Sequence, residues 1–202
     1  KLEKDKSLVK SIIHQFYQPW LESLTAKFQK LVAQDAGIFT SQDAPIEKEN
    51  FVLFVDAFRY ELAEEFCKLL EKQKWKVSLN TDWSAIPSLT PTAKPSVSPI
   101  ASEINPKSNI TEFSPQLKGG KDLLTLVFRE ALKEIGFKLV THASDIQANG
   151  RHWQEIGEID TKGHEEQADM VKRIEELFDQ IMEALEVAME RGIKRIKIVT
   201  DH

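Results

Sequence analysis

The sequence has one cysteine, Cys67, in its 202 residues, so no disulfide framework can form within the chain. That usage fits a reducing, cytoplasmic setting. No apolar run approaches the ~18 residues of a membrane span, and the opening KLEKDKSLVK holds no signal-peptide core, so no membrane association is expected. Basic residues are outnumbered, 27 Lys and Arg against 32 Asp and Glu, for a net charge of −5. This argues against a broad nucleic-acid-binding surface and leaves room for a local phosphate site. An initiator Met is also lacking and the last residues are Asp201 and His202, so the chain reads as part of something longer. What is present, 41% hydrophobic and 29% charged residues, describes an ordinary globular protein with room for one α/β domain and additions, or two small domains.

The stretch FVLFVDAFRY, residues 51–60, organises the rest. Its short unbroken apolar run predicts a strand buried on both faces of a parallel sheet, with Asp56 at the carboxyl end. Ligands of open α/β sheets bind at that edge. Upstream, Val9, Ile12, Ile13 and Phe16, then Leu21, Leu24, Phe28 and Leu31, recur at helical spacing on either side of Pro19. They predict two amphipathic helices within residues 1–40 that pack against the domain or against an upstream one. Residues 33–50 lose the periodicity and read as a linker.

From 51 onward strands alternate with helices. A helix is expected over 61–74, a short strand over 76–79, and then WSAIPSLTPTAKPSVSPIASEINP, a loop dense in Ser, Thr and Pro. Residues 103–120 read as an irregular insertion. A helix over 123–135 stopped by Gly136, a strand over 137–141, a long helix over 165–191 stopped by Gly192, and a strand in IKRIKIVTDH complete the pattern. Residues 142–160 carry no clear signal beyond GEID as a strand end. The alternation implies right-handed crossovers and a three-layer α/β/α sandwich.

Several chemistry-bearing groups fall at the expected carboxyl edge: Asp56, the pair Asp201-His202, Asp160 with His164 in EIDTKGHEE, and Thr90 in PSLTPTAKP. Carboxylate and imidazole together are the ligand set of Zn²⁺ or Mn²⁺ rather than Ca²⁺. Each group also has a plain structural use, since a strand-end Asp serves as a helix cap and a loop Thr satisfies turn backbone. His142, His152 and Trp153 are placed in the loop before GEID and read as ordinary loop packing. Arg59 is read as structural, and His14 has no evident partner.

FVLFVDAFRYELAEEF, W-x-x-x-PSLTPTAKPSVSP, GEIDTKGHEE and KIVTDH, in this order, resemble the PglZ domain of the alkaline phosphatase superfamily, which is associated with bacterial phage defence of the BREX and phage-growth-limitation type. The resemblance covers residues 51–202. It implies a three-layer sandwich of alkaline-phosphatase type with its C-terminal part missing, and two divalent metal ions, Zn²⁺ first, with Mn²⁺ or Mg²⁺ as alternatives. Asp56, Asp201 and His202 would hold one ion with the nucleophile hydroxyl. Asp160 and His164 would hold the second, with a further His that in this superfamily lies downstream of the D-H pair. The nucleophile would be Thr90, with Thr92 the alternative. Thr90 before Pro91 suits a helix N-cap followed by a proline at the first helical position, and Lys94 is the cation placed to help a transferring phosphoryl group. The implied activity is phosphodiesterase or phosphatase, on a phosphate ester that includes nucleic acid or a nucleotide, among other defence proteins. The alternative is a catalytically silent scaffold that binds metal or nucleotide.

Overall fold

The computed structural model describes residues 2–34, 50–105, 115–157 and 170–201. The chain divides into two compact units, Lys1–Thr40 and Ser41–His202.

The first unit is one helical run. Helix α1 (Leu2–Ile12) passes through a π turn (Ile13–Tyr17) into α2 (Gln18–Gln34), and the flanking Ile12 and Gln18 keep right-handed helical dihedrals. The break expected at Pro19 is therefore a π turn. Pro19 lacks the N–H that would bond Gln15 and its ring crowds that carbonyl; the wider turn just before it takes up the conflict, with Gln18 N–H bonding Ile13 O.

The second unit is built on β1 (Phe51–Val55), whose five residues are all buried. It pairs in parallel with β3 (Arg151–Ile156) on one side and β4 (Ile196–Val199) on the other, while β2 (Phe137–Leu139) pairs with β3. The order β2-β3-β1-β4 makes a mixed α/β unit with a small parallel four-stranded sheet. Alternate β1 side chains feed two cores. Phe51, Leu53 and Val55 pack with Phe66 and Leu70 of α3 (Tyr60–Lys72) and with Leu177, Ile181 and Leu185 of α6 (Met170–Glu190). Val52 and Phe54 pack with Phe128 and Leu132 of α5 (Thr125–Glu134), Trp153 and Ile100. Helices thus cover both faces, and each β1 side chain contributes about 1.5–3 kcal/mol of burial.

The helix stops follow local chemistry. Gly192 adopts φ +88° after α6, and Ile193 N–H closes onto Ala188 O at 3.0 Å. At the end of α3 the same closure, Trp75 N–H to Leu70 O at 3.1 Å, is reached with Lys74 at φ +67°.

Two expectations are corrected. Residues 76–79 form no strand; Trp75 and Val77 pack onto the first core without pairing to the sheet. Residues 151–156, expected as loop, are β3, so His152 and Trp153 are strand residues and fully buried. Two polar members of β3 are satisfied locally. Arg151 lies 4.3 Å from the Phe137 ring and donates to Ile135 O, and His152 Nε2 accepts Gln147 N–H at 3.0 Å.

Candidate active site at the carboxyl edge of the sheet

Asp56 N–H donates to Ile156 O at 3.1 Å, carrying the β1–β3 ladder one residue past β1. The chain then turns sharply, with Ala57 at φ +53°. That turn is held from β4: Ala57 N–H donates to Asp201 Oδ1 at 3.2 Å and Phe58 N–H to Thr200 Oγ1 at 3.0 Å. Since Phe54 pairs with Val199, the same register continued two residues sets Asp56 opposite Asp201 on neighbouring strands. Asp201 is 1% exposed and Asp56 half-buried. On the other flank Gly157, at φ +107°, brings its backbone against Asp56; a Cβ there would lie 3.4 Å from both Asp56 N and O.

Two carboxylates on adjacent strand ends repel each other, and a divalent cation is the group that offsets such a pair while accepting hard oxygen donors. Asp56 and Asp201 fit that role by position and chemistry. The other expected ligands, Asp160, His164 and His202, lie outside the described residues. Among the described residues no cluster of three or more His, Cys, Asp or Glu is assembled.

The loop bearing the expected nucleophile is tied to this edge at two points. Ser84 Oγ donates to Asp201 O at 3.1 Å, and Lys94 Nζ meets Glu155 Oε2, near the end of β3, at 2.6 Å. Between them α4 (Thr90–Ser96) begins with Leu89 at the N-cap, so Thr90 is the first helical residue and Pro91 the second, and the helix starts one residue earlier than the sequence suggests.

The two candidate threonines separate cleanly. Thr92 is buried, and its Oγ1 accepts Leu89 N–H at 3.3 Å while bonding the carbonyls of Pro87 and Leu89. Its hydroxyl is spent on closing the first turn of α4. Thr90 is half-buried, and among the described residues its hydroxyl has no hydrogen-bond partner.

Lys94 is held more tightly than a loop cation. Its ammonium lies 4.8 Å from the Phe54 ring centroid and 5.5 Å from that of Phe128. Glu155 is itself fixed, its second oxygen accepting Trp153 Nε1–H at 2.8 Å. The Lys94 charge is thus balanced by Glu155, 61 residues away in sequence and not legible there as its partner. Thr200, Ser84 and Gly157 were equally unforeseen, although a hydroxyl beside the strand-end aspartate in VTDH was a signal available for Thr200.

Beside Gly157, between the carboxyl side of β2 and β3 and helix α6, lies a cavity of about 610 Å³ lined by Thr141, His142, Gln154, Glu176 and Gln180 among others. Gln154 Oε1 is buried there without a hydrogen-bond partner among the described residues. His142 donates its backbone N–H to Asp145 Oδ2 at 2.9 Å. Arg59 is exposed and faces Glu61 at 3.6 Å. Burial, followed by the nearby Glu71 and Glu64, pushes the Cys67 thiol up, which keeps it protonated and inert.

No protein-family model, no curated protein and no solved structure matches this chain.

Proposed function

We propose that the α/β unit is a metal-dependent phosphohydrolase of alkaline-phosphatase type, in the PglZ branch, acting on a phosphomonoester or phosphodiester in a phage-defence setting. The observation that carries the reading is Asp201 holding the turn that follows Asp56 at the carboxyl edge, with the Thr90 loop tied to the same edge. Asp56 and Asp201 would hold one of two divalent ions, Zn²⁺ first and Mn²⁺ or Mg²⁺ otherwise, with Asp160, His164 and His202 as further ligands. Bound there, such ions lower the pKa of a hydroxyl and stabilise the oxygen that leaves.

Thr90 Oγ1 is the nucleophile. It forms a bond to phosphorus as the ester P–O bond breaks, the leaving alcohol departs with a proton, and a phosphothreonine remains. Water then attacks that phosphorus, restoring the Thr90 hydroxyl and releasing the phosphate product. Ser84 and Lys94 position the loop through Asp201 O and Glu155. The net charge of −5 disfavours a broad nucleic-acid surface, so a nucleotide or nucleic-acid ester would be held only locally at this edge.

The Lys94–Glu155 pair favours a second reading, a scaffold that binds metal or nucleotide in a defence complex without turnover, because it leaves that lysine balanced before any phosphate arrives. Zn²⁺ content after dialysis separates both from a plain α/β domain. Wild-type protein retains the ion and Asp201→Asn, which keeps an acceptor for Ala57 N–H, loses it; equal content in the two would remove the metal assignment.

A further inference from the structure

We infer that the cavity between the sheet and α6 binds a linear aliphatic diamine, on the opposite face of the sheet from α4. The strand register puts it there. Gln154 pairs with Leu53, whose side chain belongs to the core shared with α6, while Glu155 pairs with Phe54, whose ring lies under Lys94 of α4. Consecutive residues of β3 therefore serve two separate places, and the cavity stands apart from the phosphohydrolase chemistry proposed above.

At about 610 Å³ the cavity has the size of a small-molecule site. Its floor is aliphatic, with Ile146, Leu177 and Ala184 buried and Ile156 half-buried. One wall is fixed by Asp145, whose Oδ2 accepts the N–H groups of Thr141 and His142 and the Thr141 hydroxyl at 3.0, 2.9 and 3.1 Å. On the sheet wall Gln154 Oε1 is buried without a hydrogen-bond partner among the described residues. A buried carbonyl left without a donor is costly, and a ligand N–H entering the cavity removes that cost.

Charge selects the ligand further. Arg173 is engaged by Glu176 at 2.9 Å, so that pair is balanced. Glu155 is also spent, its two oxygens taken by Lys94 and by Trp153 Nε1–H on the other face. Glu183, on the α6 wall, has no ion-pair partner among the described residues. The lining thus carries one carboxylate in excess, which favours a cation and disfavours a phosphate. It includes no Phe, Tyr or Trp, so there is no ring on which a base could stack or a quaternary ammonium could sit. What remains is two acceptors, Gln154 on the sheet and Glu183 on α6, above an aliphatic floor. An ammonium group only donates, and methylenes suit the floor, so an alkyl chain with an ammonium at each end matches both.

Calorimetric titration of the 202-residue chain with diaminopentane, beside pentylamine, pentanediol and inorganic phosphate, tests this. Diaminopentane is expected to bind saturably at one site, pentylamine roughly tenfold or more weakly, and the diol and phosphate not at all. Gln154→Leu should weaken diaminopentane by roughly tenfold or more while its unfolding midpoint holds or rises, because the orphaned carbonyl is gone; a Gln154 with only a structural role would lower the midpoint. Glu183 is exposed, so Glu183→Gln reads the site without burdening the fold and should bring diaminopentane down to the level of pentylamine. Thr90→Ala should bind diaminopentane as the wild type does, whether or not the protein hydrolyses an ester. Absence of saturable diamine binding, as for a cavity that holds only water, would overturn the proposal. So would unchanged affinity in both Gln154→Leu and Glu183→Gln, or phosphate binding more tightly than diaminopentane.

Discussion

Asp201 Oδ1 accepts the backbone N–H of Ala57 at 3.2 Å, so the residue that follows one strand-end aspartate is held by the other. The contact gives Asp201 a structural duty beside its proposed metal duty, and two substitutions separate them. Asp201→Ala strands a part-buried N–H and is expected to lower stability by about 1–3 kcal/mol. Asp201→Asn keeps the acceptor, so chemical denaturation should show a smaller loss while the stabilisation by added Zn²⁺ disappears. A Zn²⁺-induced rise in melting temperature that survives in Asp201→Asn contradicts the metal role.

The threonines make opposite predictions. Thr92→Ala removes the hydroxyl that closes the first turn of α4 and is expected to cost about 1–2 kcal/mol. Thr90→Ala removes a hydroxyl with no hydrogen-bond partner among the described residues, so its unfolding midpoint should stay close to the wild type while turnover is lost. Retained turnover in a stable Thr90→Ala protein would exclude Thr90 as nucleophile.

The carboxyl edge and its strands were legible in sequence where one physical signal dominated. Phe51–Val55 is apolar without interruption, and only a doubly covered strand uses such a run. Strand β3 was hidden because its apolar residues are interrupted by Arg151, His152, Gln154 and Glu155. These are tolerated through contacts that exist only in the fold, such as Arg151 on the Phe137 ring and Glu155 on Lys94. Val77 and Leu79 alternate as a strand would, yet alternation states only that one face is apolar and does not supply a neighbouring strand. The offset of the α4 start by one residue has a similar source. Leu89 takes the N-cap without an acceptor of its own; the Thr92 hydroxyl, at the third helical position, accepts the Leu89 N–H, the reciprocal half of a capping box.

Lys94 and Glu155 are expected to be coupled. Lys94 is 19% exposed at its side chain and Glu155 34%, so solvent screens the pair only in part. A double-mutant cycle with Lys94→Met and Glu155→Gln should return a coupling of about 1 kcal/mol in stability. Additive single losses would show that the aromatic rings, rather than the ion pair, hold the lysine.

Acid should act on the fold in two windows. Burial is the main cause that holds the His152 imidazole below its ordinary value of 6.5. The unfolded chain therefore binds a proton near pH 6.5 that the folded chain does not, and stability falls as pH drops below that value. Asp145 behaves oppositely in origin. The backbone N–H of Thr141, then that of His142 and the Thr141 hydroxyl, lower it from 3.8 to about 2, so its contribution is present above pH 3.8 and lost as pH falls toward 2. His152→Gln should flatten the stability profile just below pH 6.5 and leave the lower window in place. Gly150→Ala should disturb the same histidine at neutral pH, because its Cβ would lie 2.6 Å from His152 Cε1; a loss of about 1–3 kcal/mol is expected from urea unfolding.

The measurement closest to the central claim is hydrolysis of a chromogenic phosphodiester and the matching monoester with Zn²⁺ or Mn²⁺, wild type beside Thr90→Ala. The account predicts metal-dependent turnover of at least one ester that vanishes in Thr90→Ala, with a phosphothreonine at Thr90 captured by quenching and mass spectrometry. Absence of turnover on both esters, with metal retained in the wild type, contradicts a phosphohydrolase and leaves the scaffold reading.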